Sequence, residues 1–169
     1  KIFIGYSWFV RMTLKQKFKG IYIDDSFNDI EIDSLIFDCD GVLIDIKKSY
    51  DQTIDATTKY VLKSLEKITD PIEIDFKIID GFKSTGGFND EVDLTYAAIL
   101  SIVAAKKLKQ DQTNFIFSVI KNLDSTGIKS VENFLKKQTN ISEIIAKLSY
   151  PGTHKENILY QVFDQLFYG

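Results

Sequence analysis

A change of hydrophobic period near residue 45 constrains the fold more than any other feature of this sequence. Residues 34–37 form a short apolar run that ends in Asp38-Cys39-Asp40-Gly41. A short apolar run followed by a turn sequence is typical of a buried parallel strand that leads into a loop. From residue 47 onward, apolar side chains recur every three or four residues, which indicates amphipathic helices. The sequence therefore predicts one strand, one acidic loop and a helical block.

The helical block divides into six predicted helices, at residues 47–68, 90–108, 112–123, 130–138, 142–148 and 155–167. Residues 72–88 contain Gly81, Gly86 and Gly87 and are predicted to be irregular. Residues 21–32 are expected to contribute edge strands, and residues 1–20 are interpreted as a leader without the charge order of a signal peptide. Two parts are therefore predicted: residues 1–46 with the first strand, and the helical residues 47–169.

Composition excludes several classes of protein. The 169 residues are enough for one domain, and 21 basic against 24 acidic side chains give a formal net charge of -3. The sequence has no basic run of the kind that nucleic-acid binding needs and no apolar stretch of roughly 20 residues that could cross a membrane. A single cysteine excludes a disulfide framework. We expect a cytoplasmic protein that binds neither nucleic acid nor membrane.

Asp38 and Asp40 are the strongest candidates for a functional site. Ligands of open α/β sheets bind at the carboxyl ends of the strands, and residues two apart on an extended chain project to the same side. Two carboxylates placed together repel each other, so a cation or a shared proton is expected between them. Gly41 permits a sharp turn and the close approach of an anionic ligand. The alternative is a polar turn without chemistry.

Residues 35–45, LIFDCDGVLID, resemble the first motif of the haloacid dehalogenase superfamily. The helical block that follows resembles the cap that some members insert after this motif, and residues 81–100 resemble part of the cap in the phosphoglycolate-phosphatase-like branch. The resemblance implies an α/β fold with a Rossmann-type parallel sheet. This core would be represented here by its first strand, and a predominantly α-helical cap would follow it.

The same resemblance implies a magnesium-dependent phosphatase that acts on a small phosphorylated metabolite. Asp38 would be the nucleophile that forms an aspartyl-phosphate, and Asp40 the general acid and then the general base. Mg²⁺ would bind the Asp38 carboxylate and the Asp40 backbone carbonyl. An acid at residue 40 favours phosphoryl transfer over dehalogenation, because a halide leaves without a proton.

Three further residues are predicted to bind substrate: Gly41 in the motif, and Lys83 and Asn89 in the cap. Lys83 would pair with a substrate anion and Asn89 would donate a hydrogen bond to a substrate hydroxyl. The alternative is structural: Gly86-Gly87 turns the chain, Asn89 or Asp90 caps the next helix, and Lys83 is solvated.

The later motifs of the family have no clear counterpart in this sequence. Ser118 is the best substitute for the second motif, but its neighbours continue a helical stripe, which favours a plain helix. We therefore expect a second chain or a carboxy-terminal half to supply the rest of the core. Two other functions stay open: a catalytically incomplete helical subunit for binding or assembly, and a phosphomutase that uses the same aspartates.

Cys39 and His154 are interpreted as residues without chemistry. A thiol phosphatase needs an arginine six residues after its cysteine, and Asp45 stands there, so Cys39 is predicted to be a buried strand residue. His154 has no ligand partner at suitable spacing and is predicted to be exposed.

Overall fold

A computed structural model describes residues 14–19, 21–24, 34, 36–37, 39, 43 and 46–169. The chain divides into two compact units, Lys1–Asp38 and Cys39–Gly169. Each unit is described by itself below.

The first unit contains a two-stranded antiparallel hairpin. Strand β1 spans Leu14–Phe18 and strand β2 spans Ile21–Asp24. Gln16 pairs with Tyr22, and the register shifts between Gln16 and Phe18. Strand β2 confirms one of the edge strands expected in residues 21–32; the rest of that stretch lies outside the described residues. A further strand, β1, lies within the stretch that was interpreted as a leader.

The predicted buried strand at residues 34–37 is wrong. Ser34, Ile36 and Phe37 lie outside any strand, and the side chains of Ile36 and Phe37 are 97% and 60% exposed. Cys39 is also exposed, which corrects its interpretation as a buried strand residue. Within the described residues, the antiparallel hairpin is the whole of the sheet. The prediction of an α/β fold with a parallel sheet is therefore overturned, because a short apolar run becomes a buried strand only where other strands pair with it.

The second unit is helical. Its seven helices, counted within the described residues, are α1 Lys47–Glu66, α2 Phe76–Ser84, α3 Glu91–Leu108, α4 Gln112–Lys121, α5 Ile128–Gln138, α6 Ser142–Leu148 and α7 Ile158–Tyr168. The six predicted helices are confirmed, with ends that differ by up to three residues. Helix α1 ends earlier than predicted, at a left-handed Lys67 with φ 55° rather than at the following proline.

Helix α3 lies at the centre of this unit. Every residue from Leu94 to Ala105 is buried, and α3 contacts α1, α4, α5, α6 and α7. The sequence predicts an amphipathic helix here, with one buried face. A helix that is apolar on all sides is stable when other helices surround it, which is the arrangement seen here. Among the described residues, no helix combines the length and apolar composition required to cross a membrane.

Helix α2 lies where the sequence predicted irregular structure. The Asp75 carboxylate accepts a hydrogen bond of 3.0 Å from the Ile78 amide and caps the helix. Ile78, Ile79 and Phe82 are buried along one face. Gly81, which pointed to a break, lies inside the helix: a Cβ built on it would come within 3.1 Å of the Ile120 side chain. The missing side chain therefore allows α2 and α4 to pack closely.

Candidate functional site

The predicted catalytic residues Asp38 and Asp40, with Gly41, lie outside the described residues. Near them in the sequence, the Leu43 amide donates a 2.9 Å hydrogen bond to the Cys39 carbonyl. The side chains of Cys39 and Leu43 are exposed.

Helix α1 begins shortly after the aspartate motif and has an uncapped amino terminus. Its N-cap residue Ile46 makes no side-chain hydrogen bond, and its first turn contains no acidic residue. The amino end of a helix carries a positive partial charge and free amide groups. The local electrostatics of α1 therefore favour negative charge near its first turn.

Lys83 lies in the last turn of α2 and is paired with a carboxylate. Its Nζ is 3.0 Å from Glu91 Oε1 on α3, and the two side chains are 42% and 23% exposed. Lys83 is therefore ion-paired, whereas the structural alternative predicted a lysine in contact with solvent alone. A substrate anion would have to compete with Glu91 for Lys83, so the predicted role of Lys83 requires that this surface ion pair break, at a cost of up to about 1 kcal/mol.

Asn89 is exposed in the connection between α2 and α3. The adjacent Asp90 caps α3, since its carboxylate accepts hydrogen bonds from the amides of Val92 at 2.7 Å and Asp93 at 3.4 Å. The alternative in which Asp90 caps this helix is confirmed. The substrate-binding role of Asn89 stays a prediction.

The loop that carries Gly86 and Gly87 lies against the loop between α4 and α5. A Cβ built on Gly87 would lie 2.5 Å from the Gly127 nitrogen, which is closer than real Cβ contacts come. Gly127 has φ 63° and ψ -127°, a backbone conformation that residues other than glycine rarely adopt. Gly87 therefore does more than turn the chain, because the absence of its side chain permits direct backbone contact with a second loop.

A cluster of tyrosines and carboxylates joins α3 to α5 and α7. The Tyr150 hydroxyl donates to Asp93 Oδ1 at 2.6 Å, and the Tyr96 hydroxyl donates to Glu132 Oε1 at 2.8 Å. The ring of Tyr150 lies between those of Tyr96 and Tyr160, with centroid separations of 4.9 Å and 5.5 Å. Helix α3, the segment before α7 and α7 itself are thus held together by tilted rings that pack against each other and whose hydroxyls have partners.

Burial controls the titration of this cluster. Burial is the largest cause that raises the pKa of Asp93; the hydrogen bond from Tyr150 lowers that pKa and the charge of Asp90 raises it. The pKa values of Tyr96 and Tyr150 are raised above their ordinary value, first by burial and then by the hydrogen bonds to Glu132 and Asp93. Both tyrosines are therefore neutral hydrogen-bond donors at physiological pH.

The raised pKa of Asp93 predicts a pH dependence of stability. A carboxyl whose pKa is higher in the folded state than in the unfolded state weakens the fold as pH rises from the unfolded value, about 4, through the folded value. Asp93→Asn removes this titration and retains an oxygen that can accept from Tyr150. We expect the gain in stability of Asp93→Asn over wild type to grow as pH rises from 4 to 7.

Urea unfolding of both proteins at each pH tests this expectation. Asp124 and Glu143, whose pKa values are lowered by hydrogen bonds from Thr126 and Lys147, titrate equally in both proteins and cancel in the difference. A difference in free energy of unfolding that is constant across this pH range would contradict the prediction.

Sequence reasoning missed most of this cluster. None of its tyrosines or carboxylates was predicted to pair with another. The hydrogen-bonded partners are 57 residues apart for Tyr150 and Asp93 and 36 residues apart for Tyr96 and Glu132. No local period encodes such pairs. The signal in the sequence was two tyrosines, Tyr96 and Tyr160, at otherwise apolar helix positions.

Two other residues behave as the sequence predicted. Ser118 is an exposed residue within α4, so it belongs to a plain helix rather than to a strand end. The His154 side chain is 61% exposed; its Nε2 is 3.6 Å from Asp164 Oδ2 and its ring lies 4.3 Å from that of Tyr160. Among the residues that the structure describes, no group of three or more histidine, cysteine, aspartate or glutamate side chains could hold a metal ion.

Comparisons with known proteins give no assignment. No protein-family model matches the sequence, and searches of curated proteins and of solved structures found no match.

Proposed function

We propose that the protein is a magnesium-dependent phosphatase that hydrolyses a small phosphorylated metabolite through an aspartyl-phosphate on Asp38. The observation that carries the proposal is the sequence of residues 35–45, which matches the first motif of the haloacid dehalogenase superfamily and leads directly into α1 at Lys47. The proposal concerns the chemistry of this motif and does not depend on a parallel sheet within the described residues.

The ends of the helical unit support a role as a cap. The ring of Tyr50 stacks on that of Phe167 with 4.4 Å between centroids, so the first turn of α1 lies beside the last turn of α7. The two ends of the helical unit therefore lie on the same side of it. This geometry is what a domain inserted into a loop of another structure requires. A cap of this kind closes over a reaction centre and excludes water from it.

The proposed reaction has two steps. In the first, an oxygen of the Asp38 carboxylate attacks phosphorus, the bond from phosphorus to the alkyl oxygen breaks, and Asp40 gives its proton to the departing alkoxide. In the second, water attacks the phosphorus of the aspartyl-phosphate while Asp40 takes a proton from it. Phosphate leaves and the Asp38 carboxylate is restored.

The donor set of the motif suits Mg²⁺. Two aspartates separated by one residue offer carboxylate and backbone oxygens, the ligands that this ion prefers. Asp38 and the Asp40 carbonyl would hold the ion, which when bound neutralises phosphate charge. We expect the remaining phosphate-binding groups to come from a second chain or from further sequence of the same polypeptide.

Hydrolysis of p-nitrophenyl phosphate tests the proposal. We expect activity that requires Mg²⁺, is lost in EDTA, and falls at least about 1000-fold in Asp38→Asn because the nucleophile is gone. Asp70→Asn is a matched control, since Asp70 is exposed in the connection between α1 and α2. The proposal is wrong if the wild-type chain, assayed with every polypeptide that copurifies with it, releases no phosphate, or if Asp38→Asn remains active.

A helical subunit for binding or assembly is the second candidate. The exposed apolar side chains of Ile36 and Phe37 favour it, because such residues beside each other often contact a partner. Intact mass and gel filtration of the purified protein separate the two candidates. A stable complex well above the 19.3 kDa of one chain, without phosphatase activity, would favour the subunit.

A further inference from the structure

A cleft lies between the first turns of α1 and the last turn of α7. Its volume is about 300 Å³, and its walls are formed by Ser49, Gln52, Thr53, Ala56, Leu166 and Phe167. Concave sites for small molecules begin at about this size. The cleft is confined to the helical unit.

The two walls of the cleft differ in chemistry. On α1, Ser49 and Gln52 are exposed and offer polar atoms, while the Thr53 hydroxyl is directed to the Ser49 carbonyl by a 2.9 Å hydrogen bond. On α7, Leu166 is 47% exposed and provides an apolar surface. Phe167 is held in place by its stack on Tyr50.

The lining contains no charged side chain. A site without charge cannot offset the free energy that a charged ligand loses when it is desolvated, so a carboxylate or a second phosphate is disfavoured. An uncharged molecule with one apolar face and one hydroxyl matches the two walls. The small side chain of Ala56 leaves the room for it.

The cleft is also close in sequence to the proposed reaction centre. Six residues, 41–46, connect Asp40 to the start of α1, and seven peptide steps span at most about 25 Å. The covalent chain alone therefore keeps Asp40 within this distance of the start of α1.

We propose that the α1–α7 cleft binds the uncharged alcohol portion of a phosphomonoester, which becomes the leaving group of the reaction. This assignment of substrate class rests on the proposed phosphatase function. It adds that the enzyme prefers leaving groups with an apolar part and without a second negative charge.

The first test measures binding without catalysis. The uncharged probe 4-nitrobenzyl alcohol is titrated into the ¹⁵N-labelled full chain, and amide shifts are followed by NMR. We expect saturable shifts at residues 49–56 and 166–167. Ala56→Leu, which fills the cleft, should abolish them, and Leu166→Ala, which removes the apolar wall, should weaken binding several-fold. Ala146→Leu makes the same change on the exposed face of α6 and should leave the titration unchanged.

The second test uses turnover of two uncharged leaving groups of different size. We expect Ala56→Leu to raise KM for p-nitrophenyl phosphate about 10-fold and to leave KM for methyl phosphate unchanged. An equal effect on both substrates, or none, would overturn the leaving-group assignment.

The two tests fail independently. Probe shifts that lie elsewhere, for example in the polar cleft formed by Asp70, Ile72 and Gln112, would overturn the cleft even if phosphatase activity is found. If the phosphatase proposal is wrong, neither substrate will release phosphate, while the alcohol will still bind at the α1–α7 cleft.

Discussion

Replacement of Gly127 by alanine should lower the free energy of unfolding by about 3 kcal/mol or more. Two effects add at this residue. Its backbone has φ 63° and ψ -127°, and a Cβ would lie within van der Waals overlap of the Gly87 carbonyl oxygen. That oxygen belongs to the backbone and cannot move aside as a flexible side chain would. The two loops must therefore separate.

Gly86→Ala is the matched control. Gly86 also has a positive φ, 79°, but the nearest atom to its built Cβ is 3.9 Å away, at Ser125. This variant carries only the cost of a left-handed alanine, about 1–2 kcal/mol. Urea unfolding followed by circular dichroism at 222 nm measures both variants. An equal decrease in the free energy of unfolding of the two variants would show that the loops move apart at little cost and that their contact is not close in solution.

The loop contact also bears on the predicted cap site. Gly87 is two residues from Asn89 and four from Lys83, so the backbone contact at Gly127 fixes the segment in which both lie. The sequence predicted only that the double glycine turns the chain. The structure adds a second reason, the contact of Gly87 with Gly127, which lies forty residues later in the sequence.

Helices were predictable here because their period is local. In α1, α4 and α6, apolar residues recur at helical spacing between recognisable ends, and the starts of all three were placed within one residue. Helix α2 was missed because Gly81 and the glycines after it resemble a loop. Its actual determinants are the Asp75 cap and the buried face of Ile78 and Phe82.

The prediction of the strand at residues 34–37 and of the contacts in the candidate site required information about residues distant in the sequence. A run as short as residues 34–37 fits a buried strand, an exposed segment or a buried turn, and only pairing partners decide between them. The Lys83–Glu91 pair and the Tyr150–Asp93 hydrogen bond likewise depend on how helices pack. The motif of Asp38 and Asp40 still predicts chemistry, because two carboxylates beside a glycine restrict function more than they restrict fold.

Phe82→Ala should destabilise the helical unit by about 3–5 kcal/mol, the loss expected for a large aromatic side chain removed from a core. Phe82 is fully buried, and its ring meets that of Phe88 edge to face with 5.1 Å between centroids. Alanine would leave a cavity between α2 and the loop that precedes α3. Phe88, which follows the double glycine directly, would lose its aromatic partner.

Phe117→Ala removes the same side chain from α4, where Phe117 is 40% exposed, and should cost about 1 kcal/mol or less. The difference between the two variants in urea unfolding isolates burial, since the chemical change is identical. Hydrogen exchange then separates local from global loss. Because Phe82 anchors the last turn of α2, the amides near Lys83 should lose protection first. Uniform loss of protection would mean that α2 unfolds only together with α3, so that the cap segment could not rearrange around a substrate by itself.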